Sequence, residues 1–251
     1  MIVYANGCSF GLPVGENKTC YSEIIAKKFN AQLINKHIAG TGNRRLIRSS
    51  LRDLIEIGNT PNEKIVALIG LSFFFRTELW QPTKPANQND GHFHPITTDF
   101  RPITDKKSWY YTGIEAEYKA TDLAVRDWYK QHLLWQNKES IITDQLADII
   151  MFASFCQEYN IDYLIWNNAD VWPDSPEVDV NSPFLKDFVT CVLKNVNIVD
   201  PWNFAFLPWA LSQGLRPIDE QIYAEYGHPG PEAHSRLAEF LIERLTHKEN
   251  S

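Results

Sequence analysis

Residues 65–73, IVALIGLSF, form a near-continuous apolar run. A strand of that composition has no polar face to turn toward water, so both of its faces must be covered. Such runs belong to parallel sheets sandwiched between helices. The rest of the chain agrees with that constraint. Apolar runs at 2–6, 31–38, 162–167 and 196–200 read as further strands. Helical spacing separates them over 20–29, onward from Asn43, over 140–159, over 183–195 and from Pro231 to Leu245. Asn43 stands as an N-cap ahead of Leu46, Ile47, Leu51, Leu54 and Ile55. Ser140 caps a helix whose face carries Ile142, Leu146, Ile149, Ile150 and Ala153. Five strands joined by helices predict βαβ crossovers, and so an α/β domain with a five-stranded parallel sheet. A chain of 251 residues suffices for one such core, and 1–251 is expected to be a single domain.

Residues 77–139 break the alternation. The segment is dense in aromatics, among them Trp80, Phe93, Trp109, Tyr118 and Trp128. Pro82, Pro85, Pro95 and Pro102 predict an irregular first half, and the spacing from Glu115 to Lys138 predicts a helix. An insertion of that length reads as a lid or a binding surface, for a substrate, a protein partner or a second copy of the chain.

Composition narrows the functions. A net charge of −7 argues against a general nucleic-acid or anionic-membrane binder. The arginines of NRRLIRSSLR, residues 43–52, read as a solvated helix face. No apolar run reaches the roughly 18 residues of a membrane span. No basic-then-apolar leader precedes the first strand, so a cytoplasmic protein is expected. Cys8, Cys20, Cys156 and Cys191 are scattered without a CxxC pair, which predicts free thiols and neither a disulfide framework nor a zinc site. His92 and His94 lack the companions a metal would need, and Arg45 occupies the place of the third glycine in a dinucleotide fingerprint. No metal or cofactor is expected.

Chemistry in an open parallel sheet gathers beyond the carboxyl ends of the strands. Ser9 lies just past the first strand, Gly40 to Asn43 past the second, and Gly70 to Ser72 at the end of the third. EYGHPGPEAH, residues 225–234, precedes the last helix and can reach the same edge. A hydroxyl, a base and donors for developing negative charge are what acyl transfer requires. Adjacent strand residues point to opposite faces, so with Ser9 turned to the site Cys8 packs behind it. His234 reads as the surface of the last helix.

These blocks resemble the SGNH, or GDSL-like, hydrolase superfamily. Gly7-Cys8-Ser9-Phe10 is similar to the family's Gly-Asp-Ser-Leu block, and Ala39-Gly40-Thr41-Gly42-Asn43 to its second block. Gly70-Leu71-Ser72-Phe73 falls where the family has Gly-x-Asn-Asp, and Glu225-Tyr226-Gly227-His228-Pro229 is similar to the closing Asp-x-x-His-Pro. The resemblance implies a flavodoxin-like three-layer αβα fold and an esterase or deacylase, with a carbohydrate O-acetyl group as one candidate substrate. It implies Ser9 as nucleophile, His228 as base, Glu225 as the carboxylate behind it, and Gly40 as an oxyanion donor. Ser72 stands in place of the family's oxyanion asparagine as a shorter hydroxyl donor, with Asn43 and Arg76 as further candidate donors. The leaderless chain also resembles compact SGNH-like proteins encoded by bacteriophages. That likeness implies the alternative of a weak or inactive binding or assembly module, a virion component.

Overall fold

The computed structural model describes residues 1–13, 20–38, 41–58, 63–72, 77–81, 92–96, 138–169, 183–218 and 227–247. Its strands are β1 Ile2–Gly7, β2 Gln32–Asn35, β3 Ile65–Leu71, β4 Thr77–Gln81, β5 His92–Ile96 and β6 Asp162–Asn167. Its helices are α1 Tyr21–Lys28, α2 Asn43–Gly58, α3 Lys138–Glu158, α4 Pro183–Leu193, α5 Phe206–Ser212 and α6 Pro231–His247. Four strands make one parallel sheet in the order β2-β1-β3-β6. The architecture is therefore α/β, three layers, with the expected parallel sheet at the centre.

Every residue of β1 and β3 is buried. Alternation along the pleat divides them between two cores. Ile2, Tyr4, Ile65, Ala67 and Ile69 face a layer built by α2, α3 and α4. Val3, Ala5, Val66 and Leu68 face a layer built by α1, α5 and α6. Helices α1 and α3 end alike. Asn30 and Asn160 take positive φ, at 49° and 51°. The next amides close the turn, Ala31 N–H on Ala26 O at 2.9 Å and Ile161 N–H on Cys156 O at 2.8 Å. Asparagine tolerates this left-handed position better than most residues, so each helix stops where a strand must start.

Among the described residues the sheet has four strands, not five. Residues 196–200 lie where the fifth was expected, but pair with β6 only through an isolated parallel bridge, Ile165 with Ile198. Ile165 N–H donates to Asn197 O at 3.0 Å and Val199 N–H to Ile165 O at 2.8 Å. One step away the side-chain amide of Asn197 donates to Tyr163 O, an acceptor that a continuing strand would have satisfied with its backbone. The Asn197 backbone N–H, which a continuing ladder would use, donates instead to the Tyr163 hydroxyl at 3.1 Å.

The insertion also departs from expectation. Its first half is not wholly irregular, since β4 and β5 pair antiparallel with Pro95 opposite Glu78. Among the described residues each strand of this ribbon pairs on one side only, which is where proline is tolerated in a sheet. The helix expected over 115–138 lies outside the described residues apart from its last position. Helix α5, with Pro208 in its first turn, was not anticipated.

Leu68, in the middle of β3, is fully buried, whereas Ile55 on α2 is 51% exposed. Leu68→Ala is expected to cost about 2–5 kcal/mol in urea denaturation. Ile55→Ala should stay within about 0.5 kcal/mol.

Candidate active site

Strand β1 has β2 on one side and β3 on the other, and the chain reaches them through helices on opposite faces of the sheet. This is a topological switch point, where the carboxyl ends of β1 and β3 open a crevice. Gly7 and Gly70 are paired in register at those ends.

Ser9 opens a single 3-10 turn, Ser9–Gly11, directly beyond β1. The turn closes through Gly11 N–H on Cys8 O and Leu12 N–H on Ser9 O, both at 3.1 Å. Ser9 is partly exposed, and Cys8 before it is fully buried. The Asn168 amide lies 3.7 Å from the Cys8 sulfur, so Cys8 packs behind the turn as expected. His228 reaches the same place from the far end of the chain. Its ring centroid lies 5.4 Å from that of Phe10, the residue after Ser9. Buried Gly227 and Pro229 flank it, and its carbonyl accepts from Ile218 N–H at 3.0 Å. The hydroxyl-bearing turn and the imidazole thus share one edge of the sheet.

Asn43 and Ser72 also meet, in an unforeseen way. Ser72 N–H donates to Asn43 Oδ1 at 2.6 Å, which fixes the orientation of the amide because a backbone N–H only donates. Asn43 Nδ2 then donates to Ser72 O at 3.1 Å and to Gln145 Oε1 at 2.9 Å. Both amide hydrogens are engaged. Asn43 is the first residue of α2 and clamps the end of β3 to α2 and α3, rather than capping its own helix. Gly40, Arg76 and Glu225 lie outside the described residues, and of His92 and His94 only the backbone, in β5, is described.

A second group went unrecognised in the sequence. His37, two residues beyond β2, is buried. Its Nδ1 lies 2.6 Å from Asn35 Oδ1, and its Nε2 lies 2.6 Å from the Tyr21 hydroxyl. Asn35 Oδ1 also accepts the His37 backbone N–H at 3.1 Å, so it is the amide oxygen. His37 therefore carries its hydrogen on Nδ1 and accepts the Tyr21 O–H at Nε2. Tyr21 stacks on His234, ring centroids 6.0 Å apart and planes 11° apart. His234 is fully buried and not a surface residue of the last helix. The register of α6 carried that signal, since Ala233, Leu237, Ala238 and Leu241 bury the same face. Burial pushes His37 down to about 3, with His234 adding to the effect, and pushes His234 down to about 4.

On the other face of β1, Tyr4, Asn6, Ser50 and Asp53 form a buried polar network. The Tyr4 hydroxyl donates to Asp53 at 3.2 Å, and Asn6 Nδ2 donates to Ser50 Oγ at 2.9 Å. Asn6 Oδ1 accepts the Gly7 N–H at 2.9 Å, which ties the last residue of β1 to α2. Burial, chiefly, raises Tyr4 far enough that it stays a neutral donor.

The strand order and the site edge define a doubly wound, flavodoxin-like α/β protein. No protein-family model and no curated protein matches the chain. Solved structures are similar to it over nearly their whole length. The psychrotrophic esterase EstA from Pseudoalteromonas sp. is 12% identical, covers 100% of this chain and 99% of its own, and gives a TM-score of 0.49. A member of the lipolytic protein G-D-S-L family from Veillonella parvula DSM 2008 is 10% identical, covers 96% of each chain, and gives 0.47. A catalytic mutant of an acetylxylan esterase from Geobacillus stearothermophilus is 12% identical, covers 97% of this chain and 93% of its own, and gives 0.46. Similarity this distant carries no reaction with it.

The buried histidines make stability depend on pH. Both are held neutral in the fold, below the usual imidazole value of 6.5. The unfolded chain therefore binds more protons than the folded one as pH falls through about 6.5. Their contribution is complete above that pH and is lost progressively as pH falls, down to about 4 for His234 and about 3 for His37. Denaturation midpoints measured across that window should fall, by up to about 1.4 kcal/mol per pH unit for each histidine. His37→Gln should remove its own share of that slope. Asn43→Ala strands the buried amide and carbonyl of Ser72, and should cost on the order of 1–3 kcal/mol for each in the same measurement.

Proposed function

We propose that this protein is a serine hydrolase of the esterase or deacylase type, working at the crevice between β1 and β3. The observation that carries the reading is the seating of His228 against Phe10, beside the turn that presents Ser9. Ser9 Oγ attacks an ester carbonyl, and His228 takes its proton and returns it to the leaving alcohol. Glu225, three residues earlier in the chain, orients the imidazole and stabilises its cation. The oxyanion faces backbone N–H groups of Ser9 and Gly40, with Arg76 a further source of positive charge. Ser9 opens a 3-10 turn, and the leading N–H groups of a turn have no partner within it. The aromatic insertion supplies rings suited to stacking on a sugar face, so carbohydrate O-acyl esters are the substrate class to try first.

One observation favours a second reading, a catalytically weak relative used for binding or assembly. Ser72 stands where the resemblance implies an amide, and the neighbouring amide of Asn43 has both hydrogens engaged. Loss of one oxyanion donor costs on the order of 100-fold or more in rate.

A serine-directed fluorophosphonate separates the two. The hydrolase should label at Ser9, Ser9→Ala should abolish labelling, and His228→Ala should slow it by about 100-fold or more. A folded wild-type protein that takes up no label would leave the binding reading in possession.

A further inference from the structure

The turn that carries Ser9 is thinly held. It is one 3-10 turn closed by two hydrogen bonds of 3.1 Å. Such short pieces have poorer hydrogen-bond geometry than an α-helix and need outside support. Here the support is the ring of His37. A Cβ built on Gly11 would lie 1.9 Å from His37 Cδ2, and one on Gly7 would lie 2.9 Å from the same atom. The imidazole thus fills the space that side chains at both flanking positions would need, and touches the backbone on either side of Ser9.

His37 is itself fixed from three directions. The parallel ladder continues past β2, with Lys36 N–H on Ala5 O at 2.8 Å and Ile38 N–H on Gly7 O at 3.0 Å. That pins the His37 backbone beside the end of β1. Asn35 holds Nδ1 and the Tyr21 hydroxyl holds Nε2, which sets the ring angle and the tautomer. Tyr21 is held in turn by edge contacts to Trp166, 5.2 Å between centroids, and by stacking on His234. Since α6 begins three residues after His228, the same aromatic cluster links the segment that delivers the base to the turn that delivers the hydroxyl.

We propose that His37 is a positioning residue, which sets the height and angle of the Ser9 turn by occupying the space between Gly7 and Gly11 and is itself aimed by Asn35 and Tyr21. The proposal rests on the reading of Ser9 as nucleophile. It assigns His37 no contact with substrate and no proton transfer. It also explains both glycines by a ring that leaves no room for a side chain.

The test pairs a rate with a structural readout. In His37→Ala, hydrogen exchange at the Gly11 and Leu12 amides should quicken by about 10-fold or more, while exchange at Ile161, at the far end of the sheet, holds. Fluorophosphonate labelling of Ser9 should slow by about 10-fold or more, and ester turnover should lose kcat with KM little changed. Tyr21→Phe keeps the ring volume and removes only the hydroxyl that aims His37, so it should shift the same readouts in the same direction by less. Gly11→Ala should be worse than His37→Ala, and combining them should recover labelling relative to Gly11→Ala alone, because the vacated space accepts the methyl group. Unchanged exchange at Gly11 and Leu12 in both His37→Ala and Tyr21→Phe overturns the proposal even where Ser9 labels normally. Faster exchange in a protein whose wild type never labels upholds the hold of His37 on the turn and removes the hydrolase reading instead.

Discussion

Burial of β1 and β3 on both faces is the constraint from which the rest of this structure follows. Two strands without a wet face require helices above and below, and helices on both sides require crossovers that run the strands parallel. Parallel strands place all their carboxyl ends along one edge. The crossover from β1 to β2 runs on one face and that from β2 to β3 on the other, so the edge opens between β1 and β3. Ser9 and Ser72 lie there because of where their strands end, and His228 is brought there by the segment that feeds the final helix.

The site is built on buried polar groups, and nearly every one has a partner. Asn43 exchanges hydrogen bonds with both backbone groups of Ser72. Asn6 holds Gly7, and His37 is held between Asn35 and Tyr21. An unpaired buried amide costs more than a paired one returns, so each of these contacts specifies one arrangement rather than adding much net stability. Gly7, Asn35, His37 and Ser72 lie at or just beyond strand ends, whereas β3 is apolar along its length. The middle of the sheet is accordingly the source of stability, and its edge the source of geometry.

Much of this was legible in the residues. Apolar runs located four strands of the parallel sheet, because a strand buried on both faces cannot hide its composition. Strand ends located Ser9, and Cys8 is buried behind it as expected, although Ser9 has already left the strand for the 3-10 turn. The vestigial fifth strand was not legible, since VNIVD is apolar enough to pair, while in the fold Asn197 spends both its backbone N–H and its side-chain amide on Tyr163. Asn43 looked like a helix cap because asparagine before an amphipathic run usually is one. Its pairing with Ser72 depends on how α2 leans against the end of β3, which no local pattern records. His37 and Tyr21 lay in plain view at a strand end and a helix start. Their role became visible only once Gly7 and Gly11 were found to share a wall made by one imidazole.

The outer margin of β6 bears on how this protein behaves in a crowded solution. Only every second residue of that strand points its amide and carbonyl outward, and Tyr163 and Ile165 are two of them. The Ile165 groups are taken by Asn197 and Val199, and the Tyr163 carbonyl by an asparagine side chain. An incoming chain therefore finds those groups already taken, and the backbone bridges of Ile165 and Asn167, with the Asn197 side chain, oppose growth of the sheet at this margin.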